Sequence, residues 1–391
     1  MTIAHGAVGK GAQKPLVLHL SSLGDGGAEG ALFRLVSQDR AFRHHVVSLT
    51  GLERYGQPLR DLGIPVTTLD LPRGRLRVRP LLRLWRLIRA ERPFVVQTWM
   101  YHSDLIGGVV ARLAGVSNVV WNLRHSSLDP ERNARSTLLV ARICARLSRL
   151  IPRRIICCAE KAREVHAALG YDAVRMAVIP NGYDLSVLQP DPAAGAALRQ
   201  SLGIAPEQPL IGFVARFDPL KDHANLLQAM ARLKAGGRAP LCLLIGTGMT
   251  DANQALAAQI SALDLAAHVR LLGRRNDIPA VMNALDLHVM SSISEAFPNV
   301  LAEAMACGTP CVSTDVGDAT AIIGETGRIV PPRDPAALAD AIAGMLALRE
   351  TSEWSALRAA ARQHVMENFS LDRMVDSYRR VWSDSDTQRG L

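Results

Sequence analysis

Short apolar runs alternate with longer amphipathic stretches along most of the chain. Residues 16–20, 45–49, 94–98, 119–123 and 155–159 are apolar and bounded by loops, as buried parallel strands are. Between them, segments such as 80–91 and 136–150 carry apolar residues at helical spacing. After Gln189-Pro190-Asp191-Pro192 the pattern restarts, with strands expected at 210–215, 241–245, 269–272, 287–291 and 311–314. Helices are expected at 224–233 and 300–306, and a last one at 371–382 after Phe369-Ser370, a plausible capped start. Alternating strands and helices predict an α/β chain of doubly wound parallel sheets. The break suggests domains at 1–188 and 189–366, with 367–391 a terminal helix packing back on the first domain.

Composition bounds this picture. The chain has 391 residues, 48% hydrophobic and 21% charged, enough for each half to bury its own core. No stretch approaches the ~18 uninterrupted apolar residues of a membrane span. Residues 1–14 are small and polar without an apolar core, so no secretory signal is expected. Six scattered cysteines (Cys144, Cys157, Cys158, Cys242, Cys307 and Cys311) form no Cys-x-x-Cys pair and read as inert thiols of a reducing cytosol. Charge is uneven. Residues 1–190 hold 27 Lys and Arg against 14 Asp and Glu, and the remainder 18 against 22, so the net +9 divides into +13 and −4. The first half is expected to meet something anionic.

Ligands bind open α/β sheets outside the carboxyl ends of the strands, so the loops there hold the candidate chemistry. After the first strand comes Gly24-Asp25-Gly26-Gly27-Ala28-Glu29-Gly30, whose glycines let backbone amides approach a phosphate at a helix start. A dinucleotide fingerprint would need glycine where Glu29 stands, and no acidic residue ends a second strand, which argues against NAD. A plain tight turn is the other reading. After the first strand of the second half, Arg216 and Lys221 suit a pyrophosphate, although either could pair with Asp218 or Asp222. The richest loop is Ser294-Glu295-Ala296-Phe297-Pro298-Asn299-Val300, opening a helix that carries Glu303. Amides of Asn299 and Val300 would face an anion, and the two carboxylates suit sugar and ribose hydroxyls. A helix cap plus an internal glutamate is the structural alternative.

Taken together, these loops resemble glycosyltransferase family 4, over nearly the whole chain. Glu295 and Glu303 match its Glu-x7-Glu motif, Arg216 and Lys221 its phosphate-binding pair, and Gly26-Gly27-Ala28-Glu29 its glycine loop. Ile179-Pro180-Asn181-Gly182 matches the interdomain segment and Gly246-Thr247-Gly248 a second-domain loop. The resemblance implies the GT-B fold, two Rossmann-like domains facing a central cleft. It implies a retaining, metal-independent hexosyl- or hexosaminyltransferase for surface polysaccharide or glycolipid, with a nucleotide-sugar donor, UDP favoured. It also implies donor contacts from Gly26, Gly27, Arg216, Lys221, Gly246, Glu295, Phe297, Pro298, Asn299, Val300 and Glu303. His125 would sit beside the sugar as a catalytic residue with Glu295, Arg216 and Lys221, and His102 and Arg124 would lie on the acceptor side. Two departures stand out. Ala296 replaces a common glycine, and Asp315-Val316-Gly317-Asp318 replaces a Gly-Gly-acid run, so Asp318 either faces the donor or caps a helix.

No cofactor or metal is expected. The one Asp-x-Asp triplet, Asp384-Ser385-Asp386, lies in a polar tail. Residues 73–92 hold eight arginines, Arg73, Arg75, Arg77, Arg79, Arg83, Arg86, Arg89 and Arg92, with Leu81, Leu84, Trp85 and Ile88 at helical spacing. A second basic stretch runs from Arg132 to Arg154. Such a helix either lies on anionic lipid or is an ordinary crossover helix. The expected partner is a lipid-linked acceptor at an anionic membrane, with the protein cytoplasmic and peripheral on the inner face of the plasma membrane. Nucleic acid is not expected, since only 4% of residues are aromatic and no recognition module appears. The competing readings are a nucleotide-sugar epimerase of the same fold and a non-catalytic membrane adaptor.

Overall fold

The computed structural model describes residues 14–72, 77–126, 128 and 134–384. Residues 1–13, Arg73, Arg75, Arg132, Ser385 and Asp386 lie outside the described residues.

Two parallel sheets form. The first has seven strands: β1 (Leu16–Ser21), β2 (Arg43–Ser48), β3 (Val66–Thr68), β4 (Val95–Thr98), β5 (Val119–Leu123), β6 (Arg154–Cys157) and β7 (Met176–Val178). Their order is β3-β2-β1-β4-β5-β6-β7. The second has six: β8 (Leu210–Val214), β9 (Leu241–Ile245), β10 (Val269–Gly273), β11 (Leu287–Met290), β12 (Cys311–Thr314) and β13 (Arg328–Val330), in the order β10-β9-β8-β11-β12-β13. Both are doubly wound, as the alternation predicts. Each reverses direction once, between β1 and β4 and between β8 and β11. A parallel sheet covered on both faces needs apolar side chains on both, so β1, β9 and β12 are buried along their whole length.

Three strands exceed the sequence expectation. β3, β7 and β13 are three residues each, at or near sheet edges and mostly half-exposed, so they carry no apolar run to read. The helix expected at 80–91 spans Val78–Glu91, and that at 136–150 spans Arg135–Leu147.

By contacts the chain divides into two compact units. The first comprises residues up to Asn122, Leu147–Ile155 and the stretch from Arg379 on; the second comprises Leu123–Arg146 and Ile156–Tyr378. In the first unit a buried polar chain links β1, β2 and the last helix, Leu371–Ser383. His19 Nε2 lies 3.0 Å from His44 Nδ1, and His44 Nε2 lies 2.9 Å from Asp39 Oδ2. Arg379 Nη2 closes the chain 2.7 Å from Asp39 Oδ1. Trp382, fully buried, donates from Nε1 to Gln97 Oε1 at 3.0 Å and stands edge-on to His19. Burial and the neighbouring His44 hold His19 well below the ordinary histidine range, so it is neutral.

All six cysteines are buried and none is in a disulfide, and burial pushes the Cys242 and Cys307 thiols up to about 12, which makes them inert. Among the described residues no helix is long and apolar enough to cross a membrane.

Candidate active site

In the second sheet, the loops after β8 and β11 flank the point where strand order reverses, the position open α/β sheets use for ligands. Hydrogen bonds draw four loops together there. Phe217 N donates to Thr247 O at 2.8 Å, joining the loop after β8 to that after β9. Ile293 N donates to Leu220 O at 2.8 Å, joining it to the loop after β11, and Asp318 N donates to Ala296 O at 3.0 Å from the loop after β12. Ser291 Oγ fixes the β8 loop from below by donating to Lys221 O (3.0 Å) and Asp222 O (2.9 Å).

Arg216, Lys221 and Glu295 are carried by these joined loops. Asp218 caps the short turn Pro219–Lys221, accepting from Leu220 N at 2.9 Å. Lys221 Nζ donates to Glu295 Oε1, and Ser292 Oγ donates to the same oxygen at 2.8 Å. Both side chains are mostly buried, at 20% and 14% exposure, so their attraction is weakly screened. Arg216 differs. Its side chain is 65% exposed and pairs with Asp218 at 3.0 Å, a contact that is weak in water and easily exchanged for another anion. Hydrogen bonds from Leu220 N and Arg216, with the Arg216 charge, hold Asp218 below the ordinary carboxylate range despite its partial burial.

Gly246 sits at φ +143°, and a Cβ there would collide with the carbonyl of Ala215. Gly317, at φ +57°, is likewise pressed against the carbonyls of Glu295 and Ala296. Close backbone approach around the reversal point is what requires glycine at both positions.

The helix bearing Glu303 runs Asn299–Ala306, with Pro298 as its N-cap residue. Glu303 is half-buried. The Phe297 side chain does not face the loop cluster. It is buried edge-on against Phe369, ring centroids 5.5 Å apart. The Asn299 side chain is also engaged. Its Oδ1 accepts from Asn181 Nδ2 at 2.7 Å and from the Tyr183 hydroxyl at 2.6 Å. Arg124 Nη2 donates to Asn181 Oδ1, and Arg124 Nη1 donates to the Tyr378 hydroxyl at 3.3 Å. His125 follows Arg124 in sequence, and its buried Nδ1 has no hydrogen-bond partner among the described residues. Ser126 Oγ donates to the Glu295 carbonyl, so the segment after β5 also reaches the cluster.

Gly26, Gly27 and His102 belong to the first unit and follow β1 and β4, which flank the reversal point of that sheet. Gly26 is the N-cap of the helix Gly27–Gln38, and Ser22 Oγ donates to Glu29 Oε1 at 2.5 Å. Ser103 and Asp104 follow His102 in the helix after β4. That helix begins at Tyr101, so both lie inside it. Asp104 is fully buried, accepts from Thr98 Oγ1 at 2.5 Å, and is pushed well above the carboxylate range by burial. His102 is exposed in the first turn, and partial desolvation lowers its pKa.

Asp318 does cap a helix, but not the one it precedes. Its two carboxylate oxygens accept from Glu160 N (2.8 Å) and Lys161 N (3.1 Å), the first turn of the helix Glu160–Leu169. It does not cap its own helix, Ala319–Ile323, with its side chain. Sequence reading also passes over His223. It stacks between Phe213 and Phe217 beside Lys221, and burial and the lysine lower its pKa to about 4. Asn181 is visible only within a short loop motif, and Tyr183 and Ser292 give no signal at all.

Two protein-family models match the chain in tandem. Glycosyltransferase Family 4 matches residues 25–187 and Glycosyl transferases group 1 matches residues 208–347. The two models together span most of the chain, which on that ground belongs with these glycosyltransferase families. A D-inositol 3-phosphate glycosyltransferase of Nocardia farcinica is 34% identical over 215 residues, 52% of this chain and 47% of that protein. The chain matches about half the length of the first such relatives. An Escherichia coli UDP-Gal:alpha-D-GlcNAc-diphosphoundecaprenol alpha-1,3-galactosyltransferase is 23% identical over 314 residues, 78% of this chain and 79% of that protein. Among solved structures, Anabaena HepE in complex with UDP superposes with a TM-score of 0.82 at 23% identity, over 94% of this chain and 99% of that one. WaaG, a glycosyltransferase involved in lipopolysaccharide biosynthesis, gives 0.70 at 15% identity, over 94% and 100%. The fold is that of the GT-B glycosyltransferases.

Proposed function

We propose that the protein transfers a hexose or N-acetylhexosamine from a nucleotide-sugar, UDP favoured, to a lipid-linked or glycan acceptor in surface polysaccharide biosynthesis. The observation that carries this reading is the meeting of Lys221 and Glu295 at the reversal point of the second sheet, with Arg216 on the same loop. A cation pair and a carboxylate at one strand end suit a diphosphate joined to a sugar. The UDP-bound HepE and the UDP-Gal-using relative support the choice of uridine.

In this reading the donor binds the second sheet domain (189–366). Arg216 turns from Asp218 to the diphosphate, Lys221 shares its charge between Glu295 and phosphate, and amides of Asn299 and Val300 meet the same anion. Gly246 lets backbone come close to it, beside the backbone of Phe297 and Pro298. Glu303 accepts from ribose hydroxyls and Glu295 from those of the transferred sugar. Transfer retains configuration. The bond from the anomeric carbon to phosphate oxygen breaks as the acceptor oxygen bonds to the same face, and the acceptor proton passes to the leaving diphosphate. Arg216, Lys221 and the helix amides stabilise the charge growing there, without a metal. His125 orients the sugar, while His102 and Arg124 serve the acceptor on the first sheet domain (1–188), the terminal helix after 367 completing that domain.

The acceptor reading draws on the lipid-linked acceptor named for the Escherichia coli relative and on the helix Val78–Glu91. That helix buries Leu84 and Ile88 but exposes Val78, Leu82 and Trp85 among arginines. We read it as resting on the anionic inner face of the plasma membrane.

Thermal unfolding with UDP, GDP and ADP tests the donor. UDP at a hundred times its Kd stabilises the native state by about 2.7 kcal/mol, with GDP and ADP lagging. Equal or absent stabilisation by all three sinks the reading.

A further inference from the structure

The first unit has a cavity that the proposed transfer reaction does not use. It encloses about 720 Å³ and is lined by Arg89, Arg92, Phe94, Val116, Ser117 and Arg153 among others. It opens at the amino ends of β4 and β5, since Phe94 precedes Val95 and Asn118 precedes Val119. The glycine loop and His102 follow the carboxyl ends of β1 and β4. A four-residue strand spans roughly 13 Å, so the two sites lie at opposite ends of one sheet.

The lining combines cations with apolar surface. Among the described residues neither Arg89 nor Arg92 has an ion-pair partner, and the Arg89 guanidinium lies 5.6 Å from the Trp85 ring centroid. The neighbouring Glu91 instead sits 3.8 Å from His45 Nδ1. Arg153 is anchored by donating to Asn118 Oδ1 at 2.9 Å and to Val381 O at 2.5 Å. Arg92 ends its helix at φ +48°, ψ +56°, a left-handed position that usually takes glycine, and it precedes Pro93, which disfavours helical backbone further. A long cationic side chain is kept where a glycine would relieve the backbone. Around the cavity, Leu113, Phe94 and Trp85 are 73%, 40% and 36% exposed, and Trp85 Nε1 donates to Leu113 O at 3.3 Å.

We propose that this cavity holds the phosphoester headgroup of an anionic phospholipid. Arg89 and Arg92 bond its phosphate oxygens, Ser117 borders it, and Trp85, Phe94 and Leu113 enter the acyl boundary. The proposal rests on the reading that the helix Val78–Glu91 meets an anionic membrane. It adds a specific headgroup pocket to a general charged face, and it places an anchor apart from the acceptor.

Vesicle flotation tests it with the full chain and two vesicle types, phosphatidylcholine alone or with about one third phosphatidylglycerol. Wild type floats with the anionic vesicles and not with the neutral ones. R89Q/R92Q lowers the bound fraction about ten-fold. R79Q/R86Q, which removes the same charge from the same helix outside the cavity, lowers it about two-fold. Inorganic phosphate competes with wild-type binding more than chloride does at equal ionic strength. Unfolding midpoints of both variants match wild type. Equal losses in the two double variants, or equal competition by phosphate and chloride, overturn the headgroup pocket and leave the membrane reading standing. No anionic-vesicle binding by wild type overturns both. Stabilisation by UDP is the same in every variant, since the cavity is not the donor site.

Discussion

Lys221 Nζ is bonded to Glu295 Oε1 across 74 residues of sequence, tying the loop after β8 to the loop after β11. The pair is largely out of solvent, so each charge depends on the other. In a double-mutant cycle of K221A and E295A, stability measured by denaturant shows a coupling of about 1–3 kcal/mol. Under the proposed function, K221A alone also lowers kcat/KM roughly 100-fold, because it removes charge stabilisation of the leaving group. Additive stability losses refute the coupling, and unchanged kcat/KM refutes the role.

Asn299 accepts two hydrogen bonds through one oxygen. N299A leaves Asn181 and Tyr183 without that partner and costs about 1–3 kcal/mol by chemical denaturation. N299D keeps the acceptor and recovers most of the loss. If N299A and N299D are equally destabilised, the shared acceptor is not what holds the helix start.

At Gly246 the backbone is left-handed and abuts the Ala215 carbonyl. G246A is expected to cost about 2 kcal/mol and to weaken nucleotide stabilisation at the same time, since it moves the loop that bears Arg216. A G246A protein with a wild-type unfolding midpoint contradicts the close approach.

Acid should destabilise the fold before its carboxylates titrate. Burial lowers His166 and His223 from 6.5 to about 4 and His288 to about 3. The unfolded chain therefore binds protons that the native chain refuses. Their contribution is complete above about 6.5 and is lost as pH falls from there towards 4, on the order of 3 kcal/mol for His166. Asp39, lowered from 3.8 to about 2, adds a further loss below 4. Denaturation midpoints that stay flat between pH 7 and 4.5 argue against neutral buried histidines. H166Q, which takes up no proton in this range, flattens some of the slope.

Much of the fold is legible in the chain because burial writes itself into composition. A strand covered on both faces is mostly apolar, and β8 and β9 read as such throughout. The edge strands β3, β7 and β13 are held by one neighbour and half in solvent, so their residues are not constrained to be apolar. For the site, local order shows Arg216, Lys221, Glu295 and Glu303 as loop and helix residues, but not which of them touch. Asp318 illustrates the limit. An aspartate before a helix reads as that helix's cap, yet its carboxylate serves backbone amides 157 and 158 positions earlier. Phe297 is similar, because its partner Phe369 lies far along the chain and nothing nearby says that the ring turns inward. Such pairings are set by tertiary packing, which leaves no periodic trace.

The seal that Arg379 and Trp382 place over Asp39, His44, His19 and Gln97 has an implication for biosynthesis. A ribosome delivers β1 and β2 early and the sealing residues hundreds of codons later. Throughout that interval the nascent first sheet has an open slot the size of an indole and a carboxylate without its guanidinium. The sheet reaches its finished stability only when the helix Leu371–Ser383 arrives, so the strands made first are the ones that wait longest to be closed.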